Sequence, residues 1–575
     1  MARQVDADLL IIGGGGAGAK AAIEAHDLGL HVVMLVKGFL GRSGCSIFAG
    51  NLNWFGPPGD GARPRSEAER QKQTLEFLAK YTHYLGDQEY MKNAARFTFD
   101  HFYPWLEERG LYILRDDDGA VVVDLPHGTQ AWATKMGMSG QIIMDMMRKE
   151  IFRRGILVLE ETAATSLLTA GGAVVGAAAL DYRRGEQIVV RAKATILATG
   201  HSNYLSLRST GTREGTAAGW VMAFRVGCAL QNIEMQWYHV SDVAWPRSWM
   251  RLHLYPNPLP GTAHQTRLYN RDGELFFDGT SVPRNPVPYI MQLKALVQQV
   301  RAGKARLDGG YYTSYRHIEP EVVRGHIYQT QFVEKLGLDP LRDVIENGVT
   351  WHMNVGGIRV NGQTMQSDVP GLYVAGSVSA LVTGGLPNVM YDGYVAARHA
   401  ADEIRGRPLP RLDQSVVERD LARVAAYFRT DPEGRLLPAQ VIKRIRTVMW
   451  EHMNYIKSDA TMRRGLERLQ RIRQEALPRM HVGSPSRRFS YDWIEAVDAE
   501  DMLDACELMI RFSLHRKESR GGFFREDYPI TDNARWLRHI VGRLENGALR
   551  LEELPVDLRY AKPAEEVADF FAVDY

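Results

Sequence analysis

Cysteine is nearly missing from this chain. Three occur in 575 residues, Cys45, Cys228 and Cys506, far apart and in no C-x-x-C pair. That argues against a disulfide framework and against an iron–sulfur cluster ligated by this chain alone. Long apolar runs are missing too, so nothing reads as a bilayer span, and the opening MARQVDADLL lacks the pattern of a signal peptide. Neither sign of charge dominates. The formal net charge is +2, which gives no ground for a nucleic-acid or anionic-membrane partner. No histidine spacing resembles a zinc site, and there is no internal repeat. Apolar content of 45% and charged content of 24% are ordinary for a globular protein. At roughly 150 residues per domain the chain holds several domains, and a cytoplasmic enzyme is the default expectation.

What is present begins at Asp8. Residues 8–19 read DLLIIGGGGAGA, an apolar strand that stops at four glycines. Gly13, Gly15 and Gly18 fall in the G-x-G-x-x-G register, followed by small residues at helical spacing and a second strand, His31 to Val36. The first glycine turns the chain, the second lets backbone N–H groups approach a pyrophosphate, and the third lets helix and strand pack closely. The alternative is a tight strand–helix turn without a ligand. The second strand ends in Lys37, where many dinucleotide folds place a carboxylate for the ribose. This speaks against NAD and leaves open a flavin whose ribose is held otherwise.

Further along, 38–55 is a glycine-rich loop suited to lie against something flat. Gln141 to Gly155 reads as a helix with Ile142, Ile143, Met146 and Ile151 on one side. Strands follow from Ile156 to Leu197, turning at Gly171-Gly172 and Arg184-Gly185. Gly211 to Gly227 reads as a helix. From about Asn232 to Thr350 tryptophan, tyrosine and proline become frequent and the βα rhythm fades, as in an inserted domain. An apolar strand then ends in GLYVAG (371–376), placed to return beside the first glycine motif and close one site. A helix spans about Asn388 to Arg405. Amphipathic helices follow near 413–430, 436–456, 459–476 and 497–518, and the end after Gly547 reads as irregular.

The ordered set IIGGGGAG, GRSGCSIFAG, ATILATG, TREGTAAGWVMAFRVG, NIEMQWYH, LYNRDGELFF, WHMNVGGIRV, GLYVAG and RKESRGGFFREDYP resembles the flavoprotein subunits of succinate dehydrogenase and fumarate reductase. Relatives of that family are L-aspartate oxidase and the adenylylsulfate reductase flavoprotein. The resemblance runs from Asp8 to about Trp536. It implies an α/β fold: a Rossmann-like FAD-binding domain (1–234 and 351–410), an inserted α+β capping domain (235–350), a C-terminal helical domain (411–545) and a tail (546–575). It implies FAD contacts at Gly13, Gly15, Gly16, Ala17, Gly18, Lys37, Arg42, Ser43, Gly44, Ala198, Thr199, Gly200, Glu214, Gly376, Ser377 and Asn388. It also implies hydride transfer at the flavin N5 to or from a carbon–carbon bond, with electrons exchanged through a separate ferredoxin-like iron–sulfur subunit. Homo- or hetero-oligomers are compatible with it.

The departures are informative. Family members with covalent FAD carry a histidine in an R-S-H-T run; here the run is Arg42-Ser43-Gly44-Cys45, which implies a non-covalent flavin and resembles the adenylylsulfate reductase branch. The glutamate that often follows GLYVAG is Ser377. His239 and His352 stand in register with the family's substrate histidines, where they would orient substrate or relay a proton; the alternative is packed structural histidines. His201, His253, His264 and His317 match nothing and read as ordinary polar residues. The family's arginine clamps are missing at Thr262–Gln265 and Thr383–Asn388, so Arg267 and Arg284 are candidate substitutes or plain surface arginines. Trp237, Tyr238, Trp245, Trp249, Tyr255 and Trp351 line a pocket or form a core. RKESRG reads as a solvated ion-pair network. The substrate expected is larger or less anionic than fumarate. The alternatives are adenylylsulfate-reductase-like chemistry, an oxygen-using oxidase of the L-aspartate oxidase type and a decayed flavin-binding chain kept for electron transfer.

Overall fold

The structure is a computed structural model describing residues 2–49, 67–113, 123–124, 128–129, 139–244, 267–279, 288–325, 333–381, 385–430 and 435–573. Its centre is a seven-stranded sheet. The strands are β1 (Arg3–Ile12), β2 (Val32–Val36), β3 (Leu157–Glu160), β4 (Thr162–Ala170), β5 (Ala173–Asp181), β6 (Glu186–Leu197) and β7 (Leu372–Val374). β3, β2, β1, β6 and β7 run parallel in that spatial order, while β5 and β4 add to β6 antiparallel. Parallel strands covered on both faces must be apolar throughout. Leu9, Leu10 and Ile11 of β1 and Val33 and Met34 of β2 are accordingly sealed from solvent.

Helix α1 (Gly16–Asp27) crosses from β1 to β2. Helix α2 (Ser139–Arg153) buries Ile143, Met144, Met147 and Ile151, with Ile142 and Met146 only half-buried at its flank. The apolar stripe is thus turned from the expected one, because the 143, 147, 151 row with Met144 meets the core. The helix expected over 211–227 is shorter: α3 spans Ala218–Arg225, and Ala217 before it has φ +63°. Helix α4 (Leu386–Ile404) follows β7 and packs on α1 so closely that a Cβ on Gly393 would lie 2.1 Å from the Ala17 carbonyl oxygen. Helices α5 (Gln414–Ala425), α6 (Pro438–His452), α7 (Asp459–Arg471) and α8 (Tyr491–His515) follow it. Further helices lie earlier in the chain, at Glu67–Tyr81, Gln88–Phe97 and Pro288–Arg301 among others.

A second, antiparallel sheet of five strands takes Gln236–Val243, Val344–Asn354, Tyr311–Ser314, Arg267–Tyr269 and Leu275–Asp278 in that order. The tail is not irregular: Arg538–Glu545 and Ala548–Pro555 pair as a hairpin around Asn546 and Gly547, both with positive φ. Asn-Gly between strands is the strongest short hairpin signal, since both turn residues must be left-handed. The RKESRG segment is an ion-pair network but not a solvated one. Arg516, Glu518 and Arg520 are 0–1% exposed and bonded to one another and to buried Glu234.

Candidate functional site

The carboxyl ends of β1, β2, β6 and β7 open into one cavity of about 470 Å³. Ligands of parallel α/β sheets bind at that edge. Four hydrogen bonds align the strand ends: Gly13 N–H to Leu35 O (2.9 Å), Ala198 N–H to Ile12 O (2.8 Å), Ala375 N–H to Leu197 O (3.0 Å), and Gly376 N–H to the Asp392 carboxylate (2.9 Å). Gly13 has φ +119°, and a Cβ there would sit 2.1 Å from the Ala198 carbonyl oxygen, so only glycine fits. Gly18 does not reach the cavity. Its missing Cβ lets α1 rest on the Gly13 carbonyl, 2.1 Å from where that carbon would be, which is the close-packing role its register implies.

Gly13, Gly15, Gly16, Ala17, Lys37, Ser43, Gly44, Ala198, Thr199, Gly200, Glu214, Gly376 and Ser377 all line this cavity. Gly15 and Gly16 place the bare N-terminus of α1 on its wall, with the Gly16 N–H donating to Ser46 Oγ at 2.9 Å. Backbone N–H groups and the positive end of a helix suit a diphosphate. The cradle, the glycines that leave it open and the apolar flanks Leu35, Val36, Ala163 and Ala164 fit a dinucleotide such as FAD.

Several site residues had no sequence signal. Asp498, from α8, lines the same wall; Lys37 Nζ donates to both of its oxygens at 2.6 and 2.7 Å, and Thr216 Oγ1 donates at 3.2 Å. Asp392 on α4 is fully buried, accepting from Tyr90 Oη (2.7 Å) as well as from Gly376 N–H, and burial pushes its carboxyl up to about 7. His201, expected to be ordinary, lines the cavity just after the Thr199-Gly200 turn. Its Nδ1 has no hydrogen-bond partner among the described residues, and burial pushes its pKa down to about 4. Burial likewise raises the Cys45 thiol beside Thr212.

His239 and His352 come together. They lie on the paired strands Gln236–Val243 and Val344–Asn354, their ring centroids 3.9 Å apart. The two are not equivalent. His352 lines the cavity and shares a 2.8 Å hydrogen bond between Nδ1 and Thr210 Oγ1, while His239 is 1% exposed and stands behind it. Phe48, Tyr81, Trp220 and Met353 line the walls nearby.

Other expected residues fall elsewhere. Arg42 is half exposed and paired with Asp145 (2.6 Å), off the cavity, because the tight turn at Gly41 and Gly44 points Ser43 inward instead. Asn388 is buried in α4 without lining the cavity. Arg267 pairs with Asp278 (3.2 Å) in a separate cleft on the second sheet, so it cannot replace a clamp beside His352. Arg284, His253, His264, Trp245, Trp249 and Tyr255 lie outside the described residues. Trp237, Tyr238 and Trp351 are core, not lining: Trp237 packs in one buried apolar cluster and Tyr238 and Trp351 in another, so both sides of the strand pair are covered there.

A parallel sheet whose first strand opens through bare glycines onto a helix N-terminus, with both distant chain segments closing one cavity, defines a dinucleotide-binding oxidoreductase class. The chain belongs to the FAD binding domain family, whose model matches residues 8–388, and residues 442–568 match the fumarate reductase flavoprotein C-terminal model. It is an FAD-dependent oxidoreductase of the fumarate reductase and succinate dehydrogenase flavoprotein superfamily. Over 549 residues it is 26% identical to one chain of the fumarate reductase (CoM/CoB) of Methanothermobacter marburgensis, covering 93% of this chain and 97% of that one. It is 24% identical over 584 residues to the succinate dehydrogenase flavoprotein subunit of Rickettsia bellii, covering 96% and 95%. The fold matches E. coli quinol fumarate reductase with a TM-score of 0.84 at 20% identity, over 98% of this chain and 99% of that one. Among the described residues no helix is long and apolar enough to cross a membrane.

Proposed function

We propose that this flavoprotein reduces or oxidises a carbon–carbon bond in a substrate less anionic than fumarate. His352 meets that substrate and His239 positions His352. FAD, when bound, supplies the two-electron acceptor or donor. The chain supplies placement and protons. Two protonated imidazoles 3.9 Å apart would repel by about 4 kcal/mol at an effective dielectric near 20, so the arrangement disfavours a doubly charged pair, and a single added proton is shared between the two rings. An anionic or carbonyl oxygen of the substrate draws that proton to His352, the ring on the cavity wall, while Thr210 fixes the ring plane.

One observation carries the substrate class: the described lining residues include no arginine, and Lys37, the lysine among them, is already neutralised by Asp498. The described lining offers a dicarboxylate no bidentate clamp. Gly44, with φ +76°, stands where an attaching histidine would be, which supports a non-covalent flavin. The expected result is that enoates or esters with one charged group reoxidise the chemically reduced flavin anaerobically, whereas fumarate does not. Rapid reoxidation by fumarate overturns the reading. His352→Gln should cut turnover at least about 100-fold with flavin content unchanged, and equal turnover would remove His352 from the chemistry.

The electron route proposed is an acidic iron–sulfur carrier docking between α6 and α7. Lys443, Arg444, Arg468, Arg471 and Arg479 line a groove there, with Glu475 among its described residues and Arg468 also paired with Glu451. On another face of α6, Arg446 stacks at 3.8 Å on Tyr204 and donates to Ser206 O (3.0 Å), in the loop that carries cavity-lining His201 and Asn203. Transfer from a reduced acidic ferredoxin should slow steeply with salt. K443E/R444E/R471E should abolish that salt dependence and slow low-salt transfer at least about 10-fold. An unchanged salt slope would place the carrier elsewhere.

A further inference from the structure

We propose that α8 is part of the cofactor site: Asp498 holds Lys37 in the cavity wall, so that FAD binding and docking of the first turns of α8 are one coupled event. Lys37 ends β2, where a dinucleotide fold usually presents an acid. Here the acid arrives from 461 residues further on. Asp498 is 5% exposed and lines the cavity together with Lys37 and the glycine turn.

The contacts make this more than an incidental ion pair. Lys37 Nζ reaches both carboxylate oxygens, and its own backbone carbonyl accepts from Tyr182 Oη, so the lysine is fixed at both ends. Thr216 Oγ1 donates to the same carboxylate from the loop that leads into α3. Three elements distant in sequence therefore meet at one carboxylate on the wall of the nucleotide cavity. Asp498 is nearly buried and Lys37 about a quarter exposed, so loss of Lys37 leaves a buried carboxylate and loss of Asp498 frees the lysine from its place in the wall. A carboxylate offers about four acceptor positions, and the lysine and threonine contacts take three of them.

Lys37 is held rigid by Asp498, so whatever part of FAD meets Lys37 also feels whether α8 is seated. The reverse follows by linkage: a ligand that binds only the assembled wall stabilises the docked helix.

The test uses the full chain stripped of flavin and titrated with FAD. Affinity is read by flavin fluorescence, and amide hydrogen exchange is followed over residues 491–500. The parent should show FAD-linked slowing of exchange in that segment. Asp498→Asn should bind FAD about 10- to 100-fold more weakly and lose the slowing, and Asp498→Glu should restore most of both. Lys37→Met leaves α8 intact in sequence and should lose the same slowing, and the double variant K37M/D498N should bind FAD no more weakly than K37M alone. FAD affinity within twofold of the parent in D498N, additive losses in the double variant, or undiminished slowing in K37M each overturns the proposal. Should D498N not fold, the K37M result decides it.

Discussion

Gly13→Ala is expected to yield a chain that retains no FAD and unfolds well below the parent temperature. The residue sits at φ +119°, which an L side chain adopts only under strain, and its new methyl would lie 2.1 Å from the Ala198 oxygen and 2.6 Å from its carbon. Both obstacles are backbone, so neither can rotate away. Relief requires opening the Ala198 N–H to Ile12 O bond that sets β6 beside β1, and the cost should reach about 3 kcal/mol or more. Gly29→Ala is the control. It has positive φ too (+86°), but it lies in the exposed turn between α1 and β2, off the cavity, and among the described residues no atom lies within 4 Å of its Cβ position, so strain of about 1 kcal/mol should leave the flavin in place. Flavin absorbance per chain and a thermal melt read both. A G13A protein that keeps its flavin would show that the strand end is more pliant than its packing implies.

Glu518→Ala should cost about 3–5 kcal/mol, more than any surface change in the helical part. Glu518 is wholly buried. It accepts from Arg516 Nη1 and from Arg520 Nε and Nη2, all at 2.9 Å, and from the Asp532 N–H at 3.1 Å. Without it two guanidinium groups remain in the interior, one of them balanced by Glu234 at 2.8 Å. Denaturant unfolding would show the midpoint fall. Asp459→Ala, which removes the exposed Arg463–Asp459 pair, should shift the same transition by under about 1 kcal/mol. Equal shifts in the two variants would contradict the weight assigned to burial.

The glycine turn, the strand and helix order around it, and the return strand ending at Gly376 were legible because each rests on a local rule: apolar runs for buried parallel strands, and glycine where backbone meets backbone. The residues for which the family resemblance implies flavin contacts line the cavity as well, apart from Arg42, Asn388 and the packing residue Gly18. Asp498 and Asp392 were not legible. Each lies inside a helix whose pattern says only that one face is buried, and their partners are set by tertiary folding. Charge misled at RKESRG, because a charged run reads as surface until its members are seen to satisfy one another. The aromatic cluster misled in the other direction: proximity in sequence to His239 and His352 says nothing about which side of a strand faces a ligand. The Asn-Gly hairpin at 546–547 carried a plain signal that composition-based reading of a tail passes over.

Because one wall of the cavity is assembled from residues near position 13, near position 376 and at position 498, it is a product of the order of synthesis. The glycine turn emerges from the ribosome early and then waits. At 5–20 residues per second, roughly 25–100 s pass before Asp498 is made, and for that interval β1 and β2 lack the helix that secures Lys37. A nascent chain therefore holds no finished nucleotide site. On the proposed coupling, the site reaches full affinity only once α8 has been made, so chains truncated before α8 should hold flavin more weakly than the full chain.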